Sequence, residues 1–229
     1  MDSPLATKVV FMVGPVPVTE PVVVTWGLIG LLTVVSLLVR SRLSLLPSRG
    51  QAAVELVVTA LQKLIRDTMR AAPEPYLPLI GTIFAFVLLA NWSSLVPGIA
   101  PPTASLETDA ALALIVFVAV IYFGIRVRGL GAYLKTFAEP TLLMVPLNLI
   151  ETFTRTLSLI VRLFGNVMSG VFIVGIVLSL AGLLVPIPLM ALELLTGAVQ
   201  AYIFTVLAMV FIGGAVGEAR ADGGKGEPS

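Results

Sequence analysis

Four charged side chains, Glu151, Arg155, Arg162 and Glu193, stand in stretches otherwise built mainly of Leu, Val, Ile and Phe. An ionisable group in such a stretch is costly to keep, and it marks an ion path, a proton relay or a tightly paired contact. At about 100° per residue, Glu151, Arg155, Ser158, Arg162, Asn166 and Ser169 fall inside one helical arc about 80° wide. Glu193, Thr196, Gly197 and Gln200 share a face of the segment that follows. Two oily helices with one polar seam each describe a wet path between or beside them. Asn91 and Asp109, at the two ends of a separate polar segment, complete the candidate set.

Each of these residues also has a plainer reading. Glu151 and Arg155 are four apart and can form an ion pair, or snorkel to the membrane surface. Arg162 is harder to explain in that way, because no charge follows it until Glu193. Glu193 lies just beyond Pro186 and Pro188, read here as a loop, and interfacial placement is a real alternative for it. Gln200 and Asn166 can serve as helix-packing hydrogen-bonders, and simple solvation accounts equally well for Asn91 and Asp109.

Composition narrows the chemistry. Of 229 residues, 58% are hydrophobic and 12% charged, about half the charged share of a soluble domain. Mean hydropathy is +1.05. So much apolar surface cannot be hidden inside a water-soluble particle of this size, which excludes a soluble enzyme, a disordered regulator and a disulfide scaffold. Cysteine and histidine are absent, so there is no thiol nucleophile, no Ser-His-Asp triad and no His-bearing metal site. A net charge of +1 leaves no electrostatic footprint for nucleic acid. The tail sequence GGKG lacks the spacing of a phosphate-binding loop, and no cofactor is expected. An ion-moving chain without a nucleotide site draws its energy from a gradient or from another subunit.

The elements that carry these residues follow from the charge-free gaps. About 20 apolar residues cross a hydrocarbon core of roughly 30 Å, and the gaps predict crossings near 22–39, 77–96, 110–125, 145–183 and 188–215. The fourth is too long for one upright crossing and must tilt or lie partly along the membrane. Between the first two lies QAAVELVVTALQKLIRDTMR, with Val54, Val57, Leu61, Ile65 and Met69 on one helical face and charges on the rest. It reads as an amphipathic helix at the interface, capped by Ser48 with Gln51; a sixth crossing would bury its charges. The fold expected is all-α: a polytopic membrane protein of about five transmembrane helices plus this interfacial helix, in a single membrane domain over 1–229. Residues 1–20 form an outer segment without the marks of a signal peptide, 21–216 hold the membrane helices, and 217–229 form a flexible cytoplasmic tail.

At this point the motifs become familiar. RLFGN at 162–166, followed by Ser169 and Gly170, resembles the signature of subunit a, the membrane stator of F-type ATP synthases. The likeness extends through PLNLIE at 146–151, SLIVRLFGN at 158–166 and LTGAVQAYIFTVLAMVFI, which contains Gln200. YLPLIGTIFAFVLLANWSSLVPG at 76–98 and PPTASLETDAALAL at 101–114 also resemble the family, so nearly the whole chain beyond residue 20 is covered. The resemblance implies a stator facing a rotating ring of c subunits, each with a membrane carboxylate, and held by the b subunits of a peripheral stalk. Arg162 would match the family's essential arginine, which keeps the facing carboxylate ionised and separates two offset half-channels. ATP itself is made or hydrolysed elsewhere in the complex, so the chain by itself is not catalytic. The carried ion would be the proton, with a sodium-translocating version as the alternative, and the location a bacterial inner membrane.

The chain departs from familiar bacterial members at three positions. Val171 stands where a polar or ionisable residue commonly follows the glycine, Glu193 occupies a position often held by histidine, and Thr156 replaces a common proline. A relay of two residues is thereby reduced to one carboxylate. The rival readings are a stand-alone secondary transporter, which calls for internal repeats that the sequence lacks, and a structural anchor, which needs no deep arginine.

Lys and Arg distribution orients the chain. Arg40, Arg42 and Arg49 follow the first crossing and Arg126, Arg128 and Lys135 follow the third, whereas PGIAPPTASLETD carries no basic residue. The N-terminus is therefore expected outside and the C-terminus in the cytoplasm. Cysteines introduced at Ser3 and Ser229 should label from opposite faces of intact cells; labelling of both from one face would overturn five crossings.

Overall fold

The structure, a computed structural model, describes residues 9–13, 16–41, 49–96, 99–131, 144–181 and 186–223. The chain forms six helices in these regions: α1 (Glu20–Ser41), α2 (Arg49–Met69), α3 (Leu77–Trp92), α4 (Leu106–Arg128), α5 (Met144–Ala181) and α6 (Pro186–Gly223). All but α2 are long and apolar enough to cross a membrane. The protein is an all-α polytopic membrane protein, as its charge-free gaps predict.

Prolines fix where the helices begin. Pro21, Pro78, Pro146, Pro186 and Pro188 all lie in first turns, where a backbone N–H has no intrahelical partner to lose. The expected loop at 186–188 is thus the opening turn of α6. Glycine and one arginine fix the ends. Gly129 stops α4 at φ 80, and Arg70 closes α2 at φ 50 with its N–H donating to the Arg66 carbonyl at 3.0 Å. The second crossing ends as helix at Trp92, and Ser93–Leu95 tighten into a 3₁₀ turn. The last helix continues through 217–223, so part of the segment read as a flexible tail is helical. Ser48, Arg42 and Lys135 lie outside the described residues; Gln51, the expected capping partner, donates to Glu55 at 2.7 Å.

α6 is the centre of the bundle, packing against α2, α3, α4 and α5. Helices in lipid gain little from hydrophobic transfer, so close contact depends on small residues. Ala201 and Ala208 on α6, Ala90 on α3 and Ala113 on α4 are all fully buried. Gly213 admits Met69 of α2, whose Cγ would sit 3.3 Å from a Cβ at that position. That contact, with Ile65 fully buried, lays the amphipathic helix across the end of the bundle where α6 finishes and α3 begins. α1 stays peripheral, with none of its apolar window buried.

Two further features add to the sequence reading. Within the N-terminal segment, β1 (Val9–Val13) and β2 (Val16–Thr19) pair antiparallel, Val13 opposite Val16 and Val9 opposite Thr19. Period-2 patterning over so few residues is too short a signal to register beside five helical crossings. The polar segment between α3 and α4, a connection without basic residues in the sequence, is packed against the bundle. Pro102, Thr103 and Ser105 are buried, and the 3₁₀ turn Pro102–Ala104 packs on α5. Irregular backbone beside membrane helices is tolerated where protein covers it or a polar cavity meets it.

Candidate functional site

α5 has a buried seam and a polar stripe that do not coincide. Leu159, Leu163 and Val167 face the bundle, while Ser158, Arg162, Gly165 and Ser169, about 100° further round, are exposed, with Asn166 half-buried between them. Glu151 and Arg155 pair with each other, and the Arg155 guanidinium also stands 5.6 Å over the Phe211 ring of α6. Arg155 is thus satisfied within the chain. Arg162 makes no hydrogen bond or ion pair among the described residues. A permanent cation therefore sits near the middle of a membrane helix and points out of the bundle.

On the bundle-facing side of α5, the α6 carboxyl of Glu193 nests against Gly170. A Cβ at Gly170 would come within 2.9 Å of Glu193 Oε1, so the glycine makes the space that the carboxyl occupies. That oxygen is buried and lacks a hydrogen-bond partner among the described residues. A cavity of about 830 Å³ reaches Glu193, with Ser94 and Ser105 in its wall and the acids Glu20 and Glu107 at its edge. Val171 lines it too and offers nothing to a proton. Neither Glu20 nor Glu107 stood out in the sequence, because each flanks a crossing like any solvated charge. The fold of the 99–107 segment brings them to the cavity that Glu193 also lines.

Asn91 ties α3 to α6. Its Nδ2 donates to the Gly197 carbonyl at 3.0 Å, its Oδ1 accepts from Thr103 at 2.8 Å, and the neighbouring Trp92 Nε1 donates to the Leu194 carbonyl at 3.1 Å. Gly197 permits this approach, since a Cβ there would stand 3.0 Å from the Asn91 Cβ. Thr103 was missed by sequence reasoning; the separation of 106 positions from Asn91 to Gly197 leaves no local signal for such a clasp. Gln200 is buried, and its Nε2 has no partner among the described residues; Asp109 is fully buried, and neither of its carboxyl oxygens has one among them.

Depth can be read from the helices. α5 and α6 run antiparallel and meet at Gly170 and Glu193. At 1.5 Å per residue, Arg162 lies roughly 12 Å from Gly170 and Gln200 roughly 10 Å from Glu193, in the same direction. The two polar residues therefore share a level, Arg162 outside the bundle and Gln200 within it. The expected site residues thus divide. Glu151, Arg155, Ser158, Arg162 and Asn166 line the outward stripe; Glu193, Gln200, Asn91 and Asp109 lie on the inner side. No group of three metal-ligating side chains converges among the described residues.

Comparison with known proteins adds a family to this geometry. Residues 22–213 match the family model described as ATP synthase A chain. The chain is 56% identical to ATP synthase subunit a 2 of a Bradyrhizobium species, over 94% of this chain and 97% of that one. It is 51% identical to ATP synthase subunit a of Albidiferax ferrireducens, over 85% of each, and 47% identical to ATP synthase subunit a 1 of Prosthecochloris aestuarii, over 90% and 94%.

The clasp generates a test of its own. Asn91→Leu removes both side-chain bonds and leaves the Thr103 hydroxyl buried without its acceptor, an expected loss of about 1–3 kcal/mol. Thermal unfolding in detergent should show a lowered midpoint, with a smaller drop for Thr103→Val. An unchanged midpoint in both would mean that the clasp adds no stability.

Proposed function

The chain belongs to the ATP synthase A chain family, and from that premise we propose that it is the stator of a rotary membrane motor, passing protons through two offset half-channels to a ring of c subunits. The observation that carries this reading is Arg162, a cation near mid-membrane that faces outward with no hydrogen-bond or ion-pair partner among the described residues. A charge so placed needs an acid supplied from outside, and a c subunit with a membrane carboxylate supplies one. The peripheral stalk's b subunits hold the stator still, and ATP chemistry takes place in another part of the complex. The setting is the inner membrane of a bacterium, with the N-terminus outside and the C-terminus in the cytoplasm.

The physics of the step is ionisation under a fixed charge. A ring carboxylate crosses lipid cheaply only when neutral and must release its ion to pass the stator. At about 4 Å and an effective dielectric near 20, attraction to Arg162 is roughly 4 kcal/mol before desolvation, which biases ionisation by about three orders of magnitude. The exposed Gly165, Ser158 and Ser169 keep the surface around the guanidinium low and polar. The Glu193 cavity supports an outer half-channel on the opposite side of α5. Its acids favour cations, and Glu193 takes up the ion where Val171 cannot. Asn166 and Gln200 line the approach to Arg162, while Glu151 and Arg155 order the end of α5 nearest the cytoplasm.

Two variants test this reading in reconstituted vesicles once assembly is verified. Arg162→Ala should abolish gradient-driven ATP synthesis while passive ion flux persists, because nothing then separates the half-channels; Arg155→Ala should be milder. Normal coupled synthesis in an assembled Arg162→Ala complex would defeat the stator reading. Glu193→Gln should slow driven flux at least tenfold, whereas a wild-type rate would reduce Glu193 to an interfacial anchor. Synthesis that follows a sodium gradient at equal pH on both sides would assign sodium as the ion.

A further inference from the structure

Asp109 is unusual among the buried polar groups. The Asn91 amide, the Thr103, Ser105 and Thr205 hydroxyls and the Trp92 indole N–H all have hydrogen-bond partners. Apart from Thr19 in β2, the buried side-chain atoms without one, among the described residues, belong to Glu193, Asp109 and Gln200. Glu193 meets the cavity. Asp109 is 0% exposed, and both its oxygens are unpartnered.

Helix capping does not account for it. Asp109 lies in the first turns of α4, where an acid suits the helix dipole, yet it accepts no backbone N–H, and the exposed Glu107 already occupies the favourable end. Packing alone does not account for it either, since a bare carboxylate away from water is among the costliest groups to bury. Its position is informative. Thr103, Asn91 and Gly197 form one hydrogen-bonded level. Asp109 lies about one turn of α4 inward of Ser105, and Gln200 about one turn of α6 inward of Gly197. The two unpartnered groups therefore sit at similar depth on helices that pack together, and Gln200 shares that depth with Arg162.

We propose that Asp109 is a stopping place for the translocated cation inside the bundle, inward of the Glu193 cavity and at about the depth of Arg162. This deepens the stator reading and rests on it. In the proton case, the Asp109 carboxylate gains a proton that arrives by way of Glu193, forming one O–H bond, and gives the same proton up towards the facing ring carboxylate. With sodium, a carboxylate–cation contact forms and breaks in the same order. Asp109 ends each cycle as it began, and no other reactant is consumed. The outer path then runs through the interior between α4 and α6, rather than along the surface of α5.

The absence of cysteine gives a direct test in the whole complex. Single thiols are placed at Asp109, at Ser94 in the cavity wall, and at Ala113, fully buried one turn further along α4. Silver ion, monovalent and thiol-seeking, is added from the side of the Glu193 cavity, and free thiols are then counted by alkylation after unfolding. Thiols at 94 and 109 should be blocked and that at 113 left free. In parallel, the near-isosteric Asp109→Asn should lower driven ion flux at least tenfold, with Asp109→Glu recovering most of it. A thiol at 109 that stays free while that at 94 is blocked, equal blocking at 113, or a wild-type rate in Asp109→Asn would each overturn the proposal. Loss of coupling in Arg162→Ala alongside a full rate in Asp109→Asn rejects the station and keeps the stator; intact coupling in Arg162→Ala rejects the stator itself.

Discussion

Arginine cannot shed its charge inside a protein, and hydrocarbon is a poor place to hold one. Arg162 therefore sets the terms for the rest of the molecule. Its helix must be oily enough to stay in the membrane, polar along one stripe so that the guanidinium is not stranded, and firmly docked elsewhere so that the stripe keeps its heading. α5 meets these demands with two separate faces, Leu159, Leu163 and Val167 inward and the Arg162 stripe outward. Arg155, seven residues or about two turns earlier, shows the alternative outcome. With Glu151 and the Phe211 ring to hand, its charge is settled within the chain and is not available to a partner.

The inner side of the site rests on close approach. Gly170 leaves room for the Glu193 carboxyl, and Gly197 leaves room for Asn91; in both places a polar side chain occupies the volume a Cβ would take. In lipid, where such contacts are held by packing and hydrogen bonds rather than by transfer from water, the two glycines fix the register of α6 against α5 and α3. That register puts Gln200 level with Arg162. The same helix ends at the basic face of the bundle, where Gly213 receives Met69 and docks α2. One helix thus links the cavity, the buried polar groups and the interfacial helix.

The segment from 99 to 107 changes character between sequence and structure. Its lack of Lys and Arg marks it as a connection at the far end of the bundle, and so it is. It is not a solvated loop, however. Thr103 and Ser105 are buried, and the Ala100 N–H donates to Glu20 at 3.3 Å, so the segment closes over the polar interior and bounds the cavity beside Glu193. Membrane proteins confine irregular backbone to such places because an unsatisfied peptide group facing lipid is prohibitive.

The sequence by itself determined the helices, since charges are excluded from hydrocarbon and their gaps must match its thickness. It also determined the polar stripe around Arg162, the spacing that lets Glu151 and Arg155 pair, and the amphipathic α2, all consequences of helical spacing within one segment. The tertiary structure alone decided that this stripe faces outward while Gln200 and Asp109 turn inward, that Glu193 meets Gly170, and that Asn91 clasps Gly197. It also decided the pairing of 9–13 with 16–19 and the infolding of 99–107. These rest on contacts between distant parts of the chain, where the close fit of a glycine or the bonding of one amide sets the geometry. Periodicity reports which face of a helix is polar; only packing reports what that face meets.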